Sequence, residues 1–313
     1  MLEQLPAEIL ALTIEEAAAT FLNVDRTSLV HLAMTSRRIY ALVAPLLYRK
    51  VIIKYPNVVP LSWNSNDPRT QLAAERVFRH TRELYVLDPR WHYLDVSLLH
   101  RLENLEGYFG LAVAVARQIG DEEPGAVDSP SPTPSRRLHI TLRRLHLTSD
   151  YLDVIEIPSQ MRKSITHLAA VYPDGGYGTS TTLMELTVDP RAWTIRVLDA
   201  FPNLTHLAFN LRPLYTQADH EVYFDVDLVA QVARAALAYP RLQIVAFRVT
   251  AGFLVCWADF LTALQVIEGS RDRLRAWLDG RQTTWAERLL EDACLDWSIW
   301  TEASPVAGLN VNT

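Results

Sequence analysis

The sequence predicts an α/β protein with a short helical unit, a series of helix–strand repeats and a helical C-terminal end. Three observations support this fold class. Apolar residues recur at helical spacing near the N-terminus, a degenerate six-residue pattern returns along the middle of the chain, and tryptophans crowd its last third. Helices that alternate with strands over short connections favour a parallel sheet with helices along its other side.

Composition is that of an ordinary soluble globular chain. The 313 residues are 49% hydrophobic and 21% charged, and the net charge of −6 argues against binding to nucleic-acid phosphates. Cys256 and Cys294 belong to no metal-binding pattern, which favours a reducing compartment. The N-terminus lacks a basic signal-peptide region, and no stretch is a comfortable membrane span. We therefore expect a cytoplasmic or nuclear protein that binds neither nucleic acid nor a membrane.

Residues 1–55 have the pattern of three short helices followed by a strand. Pro6 suits the first helical position, Thr27 or Ser28 is expected to cap the second helix, and Pro45 should end or kink the third. The apolar positions at helical spacing are Ile9, Leu10, Ile14, Leu29, Leu32, Ala33, Ile39, Leu42, Val43, Leu46 and Leu47. A unit of this size cannot hide so much apolar surface internally, so either the rest of the chain or another protein must cover it.

Residues 56–70 are predicted to be a linker rich in Pro and Asn, and residues 71–305 carry a degenerate repeat. Apolar residues stand at the first, fourth and sixth positions of a six-residue stretch, and the spacing alternates near 20 and 40 residues. The stretches are TRELYV (81–86), LENLEG (102–107, with Leu105 at the fourth position), LRRLHL (142–147), ITHLAA (165–170), LTHLAF (204–209) and LQIVAF (242–247). This periodicity predicts an irregular leucine-rich-repeat-like α/β solenoid.

The later repeats share one plan, in which a helix runs to an aromatic residue, a proline stops it and a strand follows. Pro202 and Pro240 are the stopping residues. Residues 120–136 break this plan with acids, Ser, Thr and Pro, and are expected to form a disordered loop. Ser129, Ser131 and Thr133 each precede a proline there, although an unmodified spacer is the favoured interpretation.

The C-terminal part, residues 268–300, is predicted to be helical. Leu274, Trp277 and Leu278 share one helical face, and Trp285 begins another. The four tryptophans of this segment are Trp277, Trp285, Trp297 and Trp300. We expect them to cap the open end of the repeats, because a repeat array must cover its last apolar face. A partner-binding patch is the alternative.

An exposed row is expected on the sheet face formed by the third and fifth repeat positions. Its members are Glu83, Tyr85, Arg144, His146, His167, His206 and Ile244. Three alanines, Ala169, Ala208 and Ala246, also stand at the fifth position and predict a shallow trough. A substrate groove is favoured over the alternative in which the tryptophan-rich C-terminus folds back over the trough.

No catalytic chemistry is indicated by the sequence. There is no phosphate-binding glycine loop, GxSxG elbow or HExxH motif, and the carboxylates are scattered. The histidines at the exposed row invite a zinc site, but they lack Cys or carboxylate partners at ligand spacing. The sequence therefore predicts a non-enzymatic protein without a cofactor or a metal site.

The N-terminal unit resembles an F-box, and the resemblance covers residues 4–54. It is carried by LPAEIL (5–10), by the second helix with Ser36-Arg37-Arg38 after it, and by Pro45-Leu46-Leu47-Tyr48. The irregular leucine-rich remainder is similar in plan to the substrate-side half of fungal F-box proteins. One departure is the segment TIEEAAATFLN, which is longer and richer in alanine than the usual first helix.

The resemblance implies a substrate-recognition subunit of a cullin–RING ubiquitin ligase. The F-box would bind a Skp-type adaptor, which docks on the cullin scaffold, and the repeats would hold an unknown protein substrate. The implied adaptor-binding residues are Leu5, Pro6, Ile9, Leu10, Leu29, Leu32, Ser36, Leu42 and Leu46. Two alternatives remain, an interaction scaffold independent of ubiquitin ligase and a hydrolase with a site too diffuse to recognise.

Overall fold

A computed structural model gives the structure of the chain. It describes residues 6–21, 26–53, 68–86, 102, 104–110, 142–147, 157, 159–171, 189–211, 214–215, 222–223, 226–250, 254–267, 272–279, 300 and 303–309. These residues form an α/β protein whose strands are mostly parallel. Within the described residues, every helix is too short or too polar to cross a membrane.

The chain divides into two compact units. The first comprises Met1–Tyr108 and Pro130–Ile140, and the second comprises Phe109–Ser129 and Thr141–Thr313. The elements of unit 1 are α1 (Ala7–Phe21), α2 (Arg26–Thr35), α3 (Arg37–Leu47), β1 (Lys50–Ile53), α4 (Pro68–Phe78), β2 (Glu83–Val86) and the start of β3 (Gly107–Gly110). Strands β1 and β2 are parallel, with Lys50 opposite Glu83. The predicted strand in YRKVIIK is thus confirmed.

Helices α1, α2 and α3 contact one another around a small apolar core. The core consists of Leu10, Ile14, Leu29, Ala33, Ile39, Val43 and Leu47. The expected cap at Thr27 or Ser28 is wrong, because α2 already begins at Arg26. Pro45 does not end α3, which continues to Leu47. It stands in the last helical turn, where a proline removes only one hydrogen bond from the helix.

Unit 2 continues the alternation of strands and helices. Its elements are β4 (Arg144–Leu147), α5 (Ser159–Ser164), β5 (His167–Val171), α6 (Pro190–Ala200), β6 (His206–Leu211), β7 (Leu214–Tyr215), β8 (Val222–Tyr223), α7 (Val226–Leu237), β9 (Ile244–Thr250), α8 (Leu254–Gln265), β10 (Leu274–Asp279), β11 (Ser304–Pro305) and a 3-10 turn (Val306–Gly308). Strands β4, β5, β6, β9 and β10 are neighbours in this order and parallel, and β11 is antiparallel to β10. Helices α6 and α7 end before Pro202 and Pro240, as predicted.

One backbone contact recurs where the strands begin. A carbonyl oxygen at the start of one strand accepts two hydrogen bonds, from consecutive N–H groups that open the next strand. The accepting residues are Arg49, Arg82, Arg143, Thr166 and Thr205. The Thr166 carbonyl, for example, accepts from Thr205 at 2.9 Å and from His206 at 3.0 Å. The contact therefore defines equivalent positions independently of side-chain identity.

This equivalence corrects one repeat. Glu106 and Gly107 both donate to the Arg82 carbonyl, so they correspond to Thr205 and His206. Leu105 therefore occupies the first repeat position, not the fourth as expected, and the fourth is Tyr108. The prediction was wrong because Leu102 and Leu105 have the same spacing as the true first and fourth positions, Leu105 and Tyr108, but lie three residues earlier.

The two faces of the unit 2 strands pack differently. Side chains at the fourth and sixth positions are buried on the helix side, where Phe209 meets Trp193 of α6 and Phe247 meets Phe260 of α8. The stacked rings of Phe209 and Phe247 join these contacts into one core. Side chains at the third and fifth positions point to the opposite face, as strand alternation requires.

The predicted helix over Leu274, Trp277 and Leu278 is wrong. Residues Leu274–Asp279 form β10, a parallel partner of β9. Leu274 and Ala276, two residues apart in this segment, are both buried, which is the periodicity of a strand. The apolar residues at spacings of three and four were misleading because the segment is too short to distinguish a helix from a strand. The second predicted helical face, formed by Trp285, Leu289 and Ala293, lies outside the described residues, as does Trp297. The predicted loop at 120–136 also lies outside them.

Candidate interaction surfaces

The three-helix cluster of unit 1 leaves several large apolar side chains exposed on α1 and α2. Ile9 is 49% exposed and Leu12 63% exposed, and they stand three residues apart on α1. Val30 is 43% exposed and Met34 77% exposed, and their four-residue spacing puts them on one face of α2. These four residues are here called the apolar helix surface.

A groove between α2 and α3 adjoins this surface. Its volume is about 540 Å³, and its lining is mostly apolar. Val30 and Met34 line it from α2, Tyr40 lines it from α3, and Tyr48 lines it from the position just after α3. The groove is open to solvent, so an apolar side chain of another molecule could enter it without rearrangement of the helices.

The residues assigned to adaptor binding fall into three groups. Pro6 and Ile9 are exposed, whereas Leu10 and Leu29 are buried in the core of the cluster. Between these extremes lie the partly buried residues Leu32, Leu42 and Leu46, which pack against that core. Leu5 is outside the described residues.

Ser36 has a local structural role in the cluster. Its hydroxyl oxygen accepts a hydrogen bond from the backbone N–H of Ile39 at 3.2 Å, so it caps α3. Sequence reasoning missed Leu12, Val30 and Met34. A stricter helical projection would have separated them from the buried positions, because they lie on the side of α1 and α2 away from Leu10 and Leu29.

The expected exposure of Glu83 and Tyr85 in unit 1 is wrong. Tyr85 is buried at 1% exposure, and Glu83 is also buried. The Tyr85 hydroxyl donates to Glu83 Oε2 at 3.4 Å, and the Lys50 ammonium lies 4.5 Å from the Tyr85 ring centroid. These contacts compensate part of the cost of burying a carboxylate and a phenol.

The open groove expected over the three alanines of unit 2 is also wrong. Ala169, Ala208 and Ala246 are opposite one another on β5, β6 and β9 and are completely buried. They form a cluster with Ala303, and Trp300 packs against it. Ile244 and Trp277 line the same cluster. The chain itself therefore fills the trough, because only small side chains leave room for an indole close to the sheet.

Two names follow from this arrangement. The alanine row is Ala169, Ala208 and Ala246, and the C-terminal cover is Trp300 with Ala303. The cover continues into β11, which pairs with β10 through Ser304 and Pro305. The alternative in which the C-terminal end folds back over the trough is thus what the structure contains.

His167 and His206 lie next to each other at the edge of the cover. Their rings stack with centroids 4.0 Å apart and planes 16° apart. The Trp300 ring is nearly perpendicular to both, at 5.6 Å from His167 and 5.5 Å from His206. The register explains the stack, because His167 and His206 are directly opposite on neighbouring strands.

The threonine before each histidine contacts the ring at Nδ1. Thr166 Oγ1 donates to the Arg143 carbonyl at 3.2 Å and lies 2.9 Å from His167 Nδ1. The hydroxyl has a single proton, so the donor across the 2.9 Å contact is Thr166 Oγ1 in one ring tautomer and Nδ1 of His167 in the other. Thr205 repeats the arrangement with the Thr166 carbonyl and with His206 Nδ1, at 3.1 and 2.8 Å.

The environment of this pair disfavours protonation. Burial, followed by the charges of His206 and of the Arg144 guanidinium, lowers the pKa of His167 to about 4. Burial also lowers the pKa of His206, and the positive charge of Arg275 adds to the effect. Both rings are therefore neutral at neutral pH.

His146 and Arg248 complete the face around the pair. His146 Nε2 lies 2.9 Å from Asn210 Nδ2, which donates to it, and the His146 ring meets Phe109 edge-on at 4.3 Å. The Arg248 guanidinium lies 5.0 Å from the Trp277 ring centroid, as in a cation–π contact. Among the described residues, no three His, Cys, Asp or Glu side chains come together as metal ligands.

No protein-family model matches the sequence, and no curated protein matches it as a relative.

Proposed function

We propose that this chain is a non-catalytic substrate receptor of a cullin–RING ubiquitin ligase. The helical unit of unit 1 binds a Skp-type adaptor, and unit 2, composed of irregular leucine-rich-repeat-like elements, binds a protein substrate. The observation that carries the proposal is the apolar helix surface, where Ile9, Leu12, Val30 and Met34 are exposed on a cluster whose core is already filled. Single exposed apolar residues are normal, but a pair on α1 and a pair on α2, each at helical spacing, favour an interface.

The F-box resemblance supports the identity of the partner. Residues 7–10 of the LPAEIL stretch begin α1, and the Ser36-Arg37-Arg38 stretch stands at the junction of α2 and α3. Leu10 and Leu29 belong to the core of the cluster, so we no longer assign them to the adaptor interface. The proposed adaptor contacts are therefore the apolar helix surface with the adjoining groove.

The substrate side of the proposal rests on the third-position and fifth-position face of unit 2. The alanine row is covered, so it does not offer an open groove. The partly exposed side chains that remain on this face are Arg144, His146, His167, His206 and Ile244. We assign substrate contacts to this set, whose three histidines and arginine favour a polar or acidic substrate segment.

A binding measurement with two matched variants tests the adaptor proposal. The double variant Val30→Lys with Met34→Lys places charges on the apolar helix surface, and Leu72→Lys places one on α4, where Leu72 is 49% exposed. Burying two such side chains contributes about 3 kcal/mol, so the double variant should bind a purified Skp-type adaptor roughly a hundredfold more weakly. The Leu72→Lys control should bind as the unmodified chain does.

Thermal unfolding of both variants shows whether the helical unit stays folded. All three positions are exposed, so we expect small changes in Tm. Unchanged adaptor affinity in the folded double variant would overturn the adaptor proposal and favour the interaction scaffold independent of ubiquitin ligase.

A further inference from the structure

The C-terminal cover depends on the relative position of two imidazole rings. Trp300 lies 5.6 Å from His167 and 5.5 Å from His206, whose centroids are 4.0 Å apart. Because the two distances to Trp300 are nearly equal, the indole lies beside the stack and spans both rings, not against one end of it. Trp300 can therefore keep both contacts only while the rings remain stacked.

Within the described part of the chain, the charged groups that act on the pair are basic. Arg144, opposite His167 on β4, and Arg275 on β10 both carry a positive charge, and β9 contributes the uncharged Ile244. The first proton bound by the pair is repelled only by these two guanidinium groups. A second proton would also meet the charge of the other ring at 4.0 Å, in a partly buried place where water screens poorly.

The threonine contacts persist when the rings are protonated. Nδ1 of each ring lies within hydrogen-bond distance of the Thr166 or Thr205 hydroxyl. In a charged ring both nitrogens carry hydrogen, so Nδ1 donates to the threonine oxygen and the contact is kept. What changes is only the charge on two parallel rings, and like charges favour their separation.

We propose that the stacked His167–His206 pair is a proton-operated catch for the C-terminal cover, which holds Trp300 while at least one ring is neutral and releases it when both are charged. Release uncovers the alanine row and makes it accessible to other molecules. The lowered pKa of both imidazoles agrees with this arrangement, because the neutral pair is the state that the packing stabilises. The inference does not depend on the adaptor proposal.

Fluorine NMR of the full chain with 5-fluorotryptophan tests the catch. The Trp300 resonance is assigned from its loss in Trp300→Phe, and Trp193 serves as the reference because it is buried against Phe209 on the helix side. On acidification from neutral pH to about pH 3, Trp300 should change to a solvent-exposed signal while Trp193 keeps its own. Simultaneous change of both signals would mean global unfolding and would overturn the proposal.

Charge variants at neutral pH give a second test that avoids acid. His167→Lys with His206→Lys places two fixed charges where the protonated rings would be, and His167→Gln with His206→Gln removes the rings without charge. The lysine variant should show Trp300 exposed, and the glutamine variant should keep most of it buried. Equal exposure of Trp300 in the two variants, or burial in both, contradicts the catch. If the lysine variant does not fold, the acid titration alone decides.

Discussion

The helical cluster of unit 1 and the alanine face of unit 2 differ in what covers their apolar side chains. In unit 1 the cluster fills its core with residues such as Leu29 and Val43 and leaves Met34 and Leu12 exposed. In unit 2 the alanine row is covered by Trp300 from the same chain. Apolar residues that recur at regular spacing therefore predict a surface that needs to be covered. They do not predict whether the same chain or another molecule covers it.

The largest expected effect comes from a charge in the alanine row. Ala208→Arg places a guanidinium where the side chain is completely buried beneath the cover. We expect a loss of several kcal/mol in the free energy of unfolding, because the site offers no room for a hydrated charge. Chemical unfolding of the variant and of Ala238→Arg, an exposed control, measures it. Equal stability of the two variants would show that the cover opens readily.

A smaller effect separates the core of the helical cluster from its surface. Leu29→Ala removes a fully buried side chain and should lower the free energy of unfolding by about 2–5 kcal/mol. Met34→Ala removes an exposed one and should change stability by less than about 0.5 kcal/mol. Urea unfolding followed by circular dichroism compares them. Similar losses would mean that Met34 is covered by part of the chain.

The role of Ser36 gives the next prediction. Ser36→Ala removes the side-chain cap of α3 and should cost about 1 kcal/mol of stability. Ser36→Asp keeps an acceptor for the Ile39 N–H and should preserve stability. If Ser36 acts only as a cap, adaptor affinity should be the same for all three proteins under conditions where each is folded. Weaker binding by Ser36→Asp would instead place the hydroxyl at the interface.

The last prediction is a pH dependence from the histidine pair. The pKa of His167 is about 4 in the folded chain, against an ordinary value of 6.5. Between these two values the unfolded chain binds a proton that the folded chain does not, so the free energy of unfolding should fall as pH falls from 6.5 to about 4. Above pH 6.5 this group makes no contribution to the slope.

Unfolding in urea at a series of pH values measures this slope, and His167→Gln is the matched control. The variant should lose the part of the slope that belongs to His167. An identical slope in both proteins would mean that His167 is protonated as easily in the folded chain as in the unfolded one.

Much of the strand pattern could be predicted from the sequence. The strands near Leu84, Leu145, Leu168, Leu207 and Val245 all lie where the six-residue pattern put them. Local apolar alternation is sufficient there, because the first, fourth and sixth positions of these stretches carry the buried side chains of one face. Leu105 was misplaced because two leucines three residues apart fit the pattern in two registers. Only the backbone contact to Arg82 distinguishes them.

Long-range packing could not be predicted in the same way. The meeting of Trp300 with His167 and His206 joins residues more than 90 positions apart, and no local pattern encodes it. Strand β10 was mistaken for a helix because Leu274, Trp277 and Leu278 also satisfy helical spacing. Its neighbour β9 stabilises the extended form, so tertiary contact overrides the local pattern.

The carbonyl that accepts two hydrogen bonds at each strand start has a consequence for the length of chain between strands. This pair of hydrogen bonds, here called the tie, fixes where the next strand begins, whatever length of chain lies between the two strands. Arg143 and Thr166 are tied across 23 residues, whereas Thr166 and Thr205 are tied across 39, with the same geometry. Loop-closure entropy rises only slowly with length, so the tie tolerates both. The start of each strand is therefore held in register although the length of chain before it differs.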